Sequence, residues 1–470
     1  MARRWCRLRT ILICICTPCF CLALLIIYIS VMISLTLNPH TSQGTTIVYY
    51  VGEINHFVAP GTLNKDGFST IPKTFWEDNL KGSGLWNQFQ KTIDRHFNPI
   101  LNPNKAIDRS ARSYFDDFLL NQGFSEVTVM DNMRNTFDNF PQEIQQFVTY
   151  MQRRDYPILI QPDGVCGAKA RLEKKRPLLL FAIKTGEFNF KNRQAIRQTW
   201  GRAGWVAGEK RNGSNKEVLG GYVRRVFLIG KEDTGEMGAH VSDLLTMESK
   251  TYGDILQWDF KDTFFNLTLK DVLLWRWFSR HCNQVHFVLK GDDDVFVNTP
   301  KLITYLQEQL KKPQAKSTME DFMVGDVIGA GMPNRVKKSK YFIPDTFYSG
   351  LYPMYAGGGG VVYSGLLAKR LHKISKTVHL FPIDDVYVGM CMYRLNALPV
   401  HHPAFLTFDF SEEEGQQLCI YHTILLVHKR TPEQLVSLWA DLKKTWTQCQ
   451  NVHLRGVDDK KVTQENLAKS

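Results

Sequence analysis

The stretch Gln284-Val285-His286-Phe287-Val288-Leu289-Lys290-Gly291-Asp292-Asp293-Asp294-Val295-Phe296-Val297 runs from an apolar segment into three consecutive carboxylates and back into an apolar segment. A short run without polar alternation is what a strand buried on both faces requires. Three like charges at the end of such a strand repel one another and resist desolvation, so something cationic must offset them. Hard divalent cations take oxygen ligands, and Mg2+ or Mn2+ typically binds one or two carboxylates beside phosphates. Open α/β sheets bind ligands at the carboxyl ends of their strands, where this cluster falls. An isolated Asp-Asp-Asp is more simply a solvated acidic turn; the apolar runs on both sides favour the metal.

Upstream, Leu178-Leu179-Leu180-Phe181-Ala182-Ile183 and Arg225-Val226-Phe227-Leu228-Ile229-Gly230 are further apolar runs of the same kind. A helix is expected over Asn192 to Trp200, and the alternation of apolar strands with helical stretches predicts an α/β fold whose sheet is mostly parallel and flanked by helices. Lys184 stands at the end of the first strand. Arg193 and Arg197 are four apart and share a helix face. Each of these cations suits a diphosphate or a plain solvated surface. Downstream, Asp384-Asp385 follows Phe381-Pro382-Ile383, and either opens a helix or supplies a general base, since a carboxylate within reach of a hydroxyl takes its proton. Gly357 to Gly360 suit close approach of a ligand, a left-handed turn or a flexible hairpin, and lack the spacing of nucleotide loops. Tyr348, Tyr352 and Tyr355 just before them offer faces to sugar rings or simply pack. No GxSxG, HExxH or kinase-type loop competes.

The 470 residues are 44% hydrophobic and 22% charged, the balance of a folded protein, with a net charge of +12 that invites a nucleic-acid reading. Residues Ile11 to Leu37 carry no charge, enough for a helix of ~40 Å, and Arg3, Arg4, Arg7 and Arg9 precede them. The positive-inside rule then keeps the N-terminus cytosolic and puts the body in a lumen or outside the cell. A cleaved signal peptide is the alternative, with an apolar core usually of only ~7–15 residues. Removing four arginines from +12 leaves +8 on a body away from DNA and RNA, and neither an RNP-type motif nor zinc-finger spacing occurs. No nucleic-acid partner is expected; the basic surface meets sugar nucleotides, sulfated glycans or lipid head groups, or is merely solvated. Cys166, Cys282, Cys391, Cys419 and Cys449 lie beyond the anchor without metal-site spacing, so disulfides are expected with one thiol left over. The sequons at Asn212 and Asn266 become usable in a lumen. The chain divides into a cytosolic tail (1–10), a transmembrane signal-anchor (11–37), a stem (38–97), a helical extension (98–176), a main domain (177–452) and a polar tail (453–470).

Five ordered segments, Arg193–Gly201, Asp262–Lys270, Lys290–Asn298, Tyr355–Gly360 and Pro382–Met390, closely resemble those of the β-1,3-N-acetylglucosaminyltransferases of the β-1,3-galactosyltransferase-like superfamily. The resemblance covers roughly residues 98 to 449. It implies a GT-A glycosyltransferase fold in a single-pass type II Golgi membrane protein with a lumenal catalytic domain. It further implies an inverting transfer of GlcNAc from UDP-GlcNAc to O3 of terminal β-galactose on poly-N-acetyllactosamine-type glycans, with Mn2+ or Mg2+. By motif position Asp294 and Asp292 become metal ligands and His428 completes the shell; Asp385 becomes the general base, and Lys184, Arg193, Asp292 and Asp293 face the nucleotide. The resemblance also implies the pairs Cys391–Cys419 and Cys166–Cys282. A β-1,3-galactosyltransferase using UDP-galactose and a non-catalytic Golgi lectin-like relative are the rival readings, and self-association is left open.

Overall fold

The computed structural model describes residues 82–100, 137–162, 166, 176–209, 220–232, 238–329, 331–450 and 452–456. The expected membrane anchor, most of the stem and the Asn212 sequon lie outside these residues. Among the described residues no helix is long and apolar enough to cross a membrane.

The helices are α1 (Leu85–Phe97), α2 (Gln142–Tyr150), α3 (Phe190–Gln198), α4 (Gly238–Tyr252), α5 (Leu267–His281), α6 (Thr299–Lys311), α7 (Gly365–Ile374), α8 (Asp384–Arg394) and α9 (Pro432–Lys444), with a few shorter turns. The strands are β1 (Ile158–Ile160), β2 (Leu179–Lys184), β3 (Gly204–Ala207), β4 (Gly220–Lys231), β5 (Ile255–Lys261), β6 (Phe287–Asp292), β7 (Phe296–Val297), β8 (Met323–Ile328), β9 (Tyr355–Ser364), β10 (Val400–His401), β11 (Phe405–Leu406) and β12 (Leu426–Val427). Nine of them form one sheet in the order β1-β5-β4-β2-β6-β9-β8-β10, with β3 paired to β4; β11-β12-β7 form a second.

The three apolar runs read from the sequence are β2, β4 and β6, and with β5 they are parallel. The sheet as a whole is mixed, not mostly parallel: β1, β3 and β9 run antiparallel to their neighbours, and β8 runs antiparallel to β9. Parallel pairing joins the four central strands and, at the edge, β10 to β8, while β9 returns antiparallel beside β6.

Alternation along β2 builds two cores. Leu180 and Ala182 face a layer with Trp275 and Phe278 of α5, Leu371 of α7 and Tyr387 of α8. Leu179, Phe181 and Ile183 face the opposite layer, with Ile196 of α3, Leu306 of α6 and Leu435 of α9. Successive side chains of a strand point to opposite faces, so a fully apolar strand must be covered twice.

Residues 85–97, expected within the stem, instead form α1, whose apolar stripe docks on the main body. Trp86 is buried and its indole N–H donates to the Leu380 carbonyl at 3.0 Å, while Asp94 receives two hydrogen bonds from Arg394 of α8. In α2, Ile144, Phe147 and Val148 pack inward at the helical spacing expected, followed by Met151 just beyond it.

Cys166 and Cys282 form a disulfide as expected. The other pairing is corrected: Cys419 bonds Cys449, whose Cα lies 5.6 Å away, and Cys391 is a buried free thiol. Cys391 sits on the inward face of α8 in the core beside α5, and no second cysteine among the described residues is bonded to it. Peptide mapping without reduction should recover Cys166–Cys282 and Cys419–Cys449, with Cys391 alkylated only after unfolding. Recovery of a Cys391–Cys419 peptide contradicts this arrangement.

Candidate active site

β2 and β6 lie side by side in parallel, with Ala182 opposite Lys290 and Lys184 opposite Asp292. Lys184, Lys290 and Asp292 therefore share the face of the sheet that Ala182 presents to α5 and α8. Lys290, wholly buried, reaches Asp385 Oδ1 at 3.0 Å, Asp271 Oδ2 at 3.4 Å and Asp384 Oδ2 at 3.6 Å. Lys184 is bound to Asp384 and stands 3.5 Å from Asp292. Burial works against both ammonium charges, but the facing carboxylates outweigh it and both lysine pKa values rise.

The carboxylates respond differently. Burial lifts Asp271 to about 6 against the pull of Lys290 and Lys184. Asp384, although burial opposes its charge, is held well below the usual range by Lys184 and then Lys290. Asp385 is pushed up, first by burial and then by the Asp384 charge, with Lys290 opposing. Asp384 and Asp385 are the first two residues of α8, whose N-cap is Ile383. The pair thus opens a helix and turns both carboxylates into the lysine cluster. Asp385 remains partly accessible, its side chain 27% exposed.

The three aspartates of the quoted stretch do not act as one. Asp292 and Asp294 approach His428, with His428 Nε2 at 3.3 Å from Asp294 Oδ1 and 4.0 Å from Asp292 Oδ2. Asp293 faces away, where its carboxylate accepts from the Thr185 hydroxyl and from Asn189 Nδ2 at 2.8 Å. Burial raises its pKa to about 6. Asp293 thus ties the acidic turn to the loop after β2, and the structure does not bring it to Asp292, Asp294 and His428.

The second sheet supplies His428. β12 pairs antiparallel with β7, Val427 opposite Phe296, and the Arg430 N–H donates to the Asp294 carbonyl at 2.7 Å. Gly359 of β9 lies directly beneath the ring: it has φ +78°, and a Cβ there would meet the imidazole at 2.5 Å. The glycine run is a strand in the middle of the sheet, and close packing at Gly359 and positive φ at Gly358 and Gly359 account for its composition. A Cβ at Gly357 would lie 3.6 Å from Asp385 Oδ2. One strand therefore underlies both the histidine and the α8 carboxylate.

Asp292, Asp294 and His428 each offer an atom within 4.8 Å of the others. His428 Nδ1 is buried without a hydrogen-bond partner, and Asp294 Oδ1 is buried facing His428 Nε2. Burial disfavours charge on His428, yet the two carboxylates outweigh it and raise its pKa. Two carboxylate oxygens and an imidazole nitrogen gathered this closely fit a divalent cation.

Arg193 and Arg197 share a helix face as expected, but it is turned inward. Arg193 is fully buried, donating to Glu248 and to the carbonyls of Gly186 and Glu187, and Arg197 chelates Asp254 and contacts Glu248. Neither is a surface cation, and the structure holds the Arg193 guanidinium in these bonds and not among the site carboxylates. Tyr348 and Tyr352 are buried in an aromatic cluster with Phe381, so these two pack, while Tyr355 is half-buried near Asp385. The sequence reading missed Lys290 and Asp271, although Lys290 stands two residues before the acidic triplet and answers its need for a cation.

The family profile described as "Galactosyltransferase" matches residues 191–403. The chain is 39% identical over 403 residues, 86% of its length and 95% of the relative's, to N-acetyllactosaminide β-1,3-N-acetylglucosaminyltransferase 2 of Homo sapiens. It is 41% identical over 305 residues, 64% of this chain and 72% of the relative, to N-acetyllactosaminide β-1,3-N-acetylglucosaminyltransferase 4 of Homo sapiens. It is 40% identical over 308 residues, 64% of this chain and 72% of the relative, to UDP-GlcNAc:βGal β-1,3-N-acetylglucosaminyltransferase 7 of Rattus norvegicus. The class these matches define is the glycosyltransferases. Within it the chain belongs to the galactosyltransferase family, beside members named as β-1,3-N-acetylglucosaminyltransferases.

Removing the Lys290 cation strands buried carboxylates on α5 and α8. Lys290→Met should lower folding stability by about 3 kcal/mol in denaturant titration; unchanged stability would show that Lys184 alone balances the cluster.

Proposed function

We propose that this chain is an inverting β-1,3-N-acetylglucosaminyltransferase that moves GlcNAc from UDP-GlcNAc to O3 of a terminal β-galactose, extending poly-N-acetyllactosamine-type glycans. The observation that carries the reading is the 39% identity spanning 95% of a relative named for that reaction, in a chain that keeps both the Asp292–Asp294–His428 group and an accessible Asp385. A non-catalytic lectin could dispense with those residues.

The acceptor O3 attacks the anomeric C1 of GlcNAc while the bond from C1 to the UDP phosphate oxygen breaks, and the electron pair leaves with UDP. Asp385 takes the O3 proton. Burial and the neighbouring Asp384 charge raise its pKa, which makes it a better proton acceptor than an ordinary aspartate. One displacement inverts the anomeric carbon and needs no sugar–enzyme bond. Lys290 holds one Asp385 oxygen at 3.0 Å and so fixes the carboxylate. Lys184 stands between Asp384 and Asp292, where its charge offsets both acidic groups. Asp292, Asp294 and His428 would hold Mn2+ or Mg2+, which supplies positive charge against the diphosphate of UDP.

The GT-A architecture and the Golgi setting belong to the same proposal. A parallel centre with acidic strand ends supports the first. The arginine-flanked, charge-free N-terminal run supports type II anchoring with the catalytic body in the lumen.

The detergent-solubilised full chain, given each sugar nucleotide with a lactosamine acceptor, should transfer from UDP-GlcNAc and stop on chelation of divalent cations. Transfer from UDP-galactose alone would overturn the donor assignment. Asp385→Asn should reduce kcat by ~10^3-fold or more while UDP binding persists; near-normal turnover would remove Asp385 from the base role. Because Asp385 must be ionised and its pKa is raised, kcat should fall as pH drops through a value above the ordinary aspartate range. An acid limb at or below ~3.9 would contradict the shift.

A further inference from the structure

Among the described residues two non-glycine residues have positive φ, Asn396 at +54° and Lys429 at +62°. Asparagine visits the left-handed region readily, whereas in lysine the Cβ crowds the following carbonyl. A residue held this way persists only where its surroundings over-determine it, and such residues gather at functional sites. The Lys429 side chain is exposed, so its own packing does not call for the turn.

What holds the turn lies on both sides of it. His428, Lys429 and Arg430 are the whole link between β12 and Thr431, the N-cap of α9, whose hydroxyl accepts from the Gln434 N–H at 3.3 Å. Within that link the buried Arg430 guanidinium donates from Nη1 to the carbonyls of both His428 and Lys429 at 3.0 Å. Its Nη2 is bound to Asp409 and lies 3.3 Å from the Tyr421 hydroxyl. With the chain turned at Lys429, both neighbours face one residue: His428 Nε2 stands 3.3 Å from Asp294 Oδ1, and the Arg430 N–H donates to the Asp294 carbonyl at 2.7 Å. Asp294 is thus held at side chain and backbone by residues two apart, while the Leu406 carbonyl accepts from the His428 N–H at 3.1 Å. An extended residue at 429 would continue the direction of β12 and take one of these two contacts off Asp294.

We propose that Lys429, through its left-handed backbone, and Arg430, through its guanidinium, are positioning residues for the divalent cation, holding the His428 imidazole at Asp294 before an ion arrives. The inference rests on the metal reading proposed above for Asp292, Asp294 and His428. Groups that orient metal ligands typically contribute roughly 10–100-fold in affinity, because the ligands need not be ordered by the ion itself. The two residues act in different ways: Lys429 sets the direction of the chain, and Arg430 satisfies the two carbonyls that the turn leaves facing inward.

Titration of the detergent-solubilised full chain with Mn2+, read by loss of the free-ion signal in electron paramagnetic resonance, tests this independently of turnover. Lys429→Gly and Lys429→Val both remove the exposed ammonium, so the two differ only in the backbone: glycine takes positive φ freely and a β-branched residue resists it. Lys429→Val should bind Mn2+ about tenfold more weakly than Lys429→Gly. Asp409→Ala, which releases one side of the Arg430 fork, should weaken binding several-fold relative to the wild type; the Asp409 side chain is 61% exposed, so this variant decides the matter if Lys429→Val does not fold. Equal affinities in the two Lys429 variants, even with a lower thermal midpoint for the valine chain, would make the turn merely structural and overturn the inference. Unchanged affinity in Asp409→Ala would overturn the part assigned to Arg430. A wild-type chain that binds no Mn2+ would instead overturn the metal reading, and the inference with it.

Discussion

Two lysines on neighbouring parallel strands hold the carboxylates of three separate elements at one end of the sheet. Lys184 and Lys290 are buried, and the acids around them come from β6, α5 and α8. Taking any of these charges out of water alone costs several kcal/mol, so each element is stable in place only when the others are there. The register fixes the outcome: Lys184 lies opposite Asp292 and Ala182 opposite Lys290, so both ammonium groups leave the sheet on the same face. A slip of one residue in either strand would turn that strand's lysine into the core formed by α3, α6 and α9 and leave the α8 acids one cation short.

The same constraint divides the acidic triplet. Strand alternation sends Asp292, the last residue of β6, to the lysine face, while Asp293 in the turn that follows is bound by Thr185 and Asn189. Asp294 lies past the end of β6, and its carbonyl accepts from Arg430, so the ladder between β7 and β12 delivers His428 beside it. Three adjacent residues with one side chain type thus face charge balance, turn anchoring and a histidine, according to backbone direction alone.

Much of this was legible in the sequence. The buried strands and the inward face of α2 follow from the apolar pattern, and the demand for a cation follows from placing three acids at the end of a buried strand. What periodicity does not carry is the partner of a charge. Arg193 and Arg197 have the spacing of a surface stripe, and only the arrival of Glu248 and Asp254 from α4 and the residues that follow it makes that stripe interior. Cys391 likewise cannot be distinguished from a bridging cysteine until α8 is seen to turn it into the core, away from Cys419. Helix α1 was hidden because its stripe is short and its docking partners, Leu380 and Arg394, lie some three hundred residues away.

The glycine run shows how closely backbone shape and chemistry are linked here. A polyglycine loop would be floppy, because glycine loses more conformational freedom on folding than any other residue. Here that freedom is used up: Gly360 pairs with Gly291, Gly359 supports the His428 ring, and Gly357 lies beside Asp385. The spacing between the histidine and the α8 carboxylate is therefore set by a hydrogen-bonded strand between them, and no long side chain has to be ordered to maintain it. Groups held by sheet geometry need little reorganisation when charge develops between them, which is the condition under which fixed charges act most strongly on a reaction.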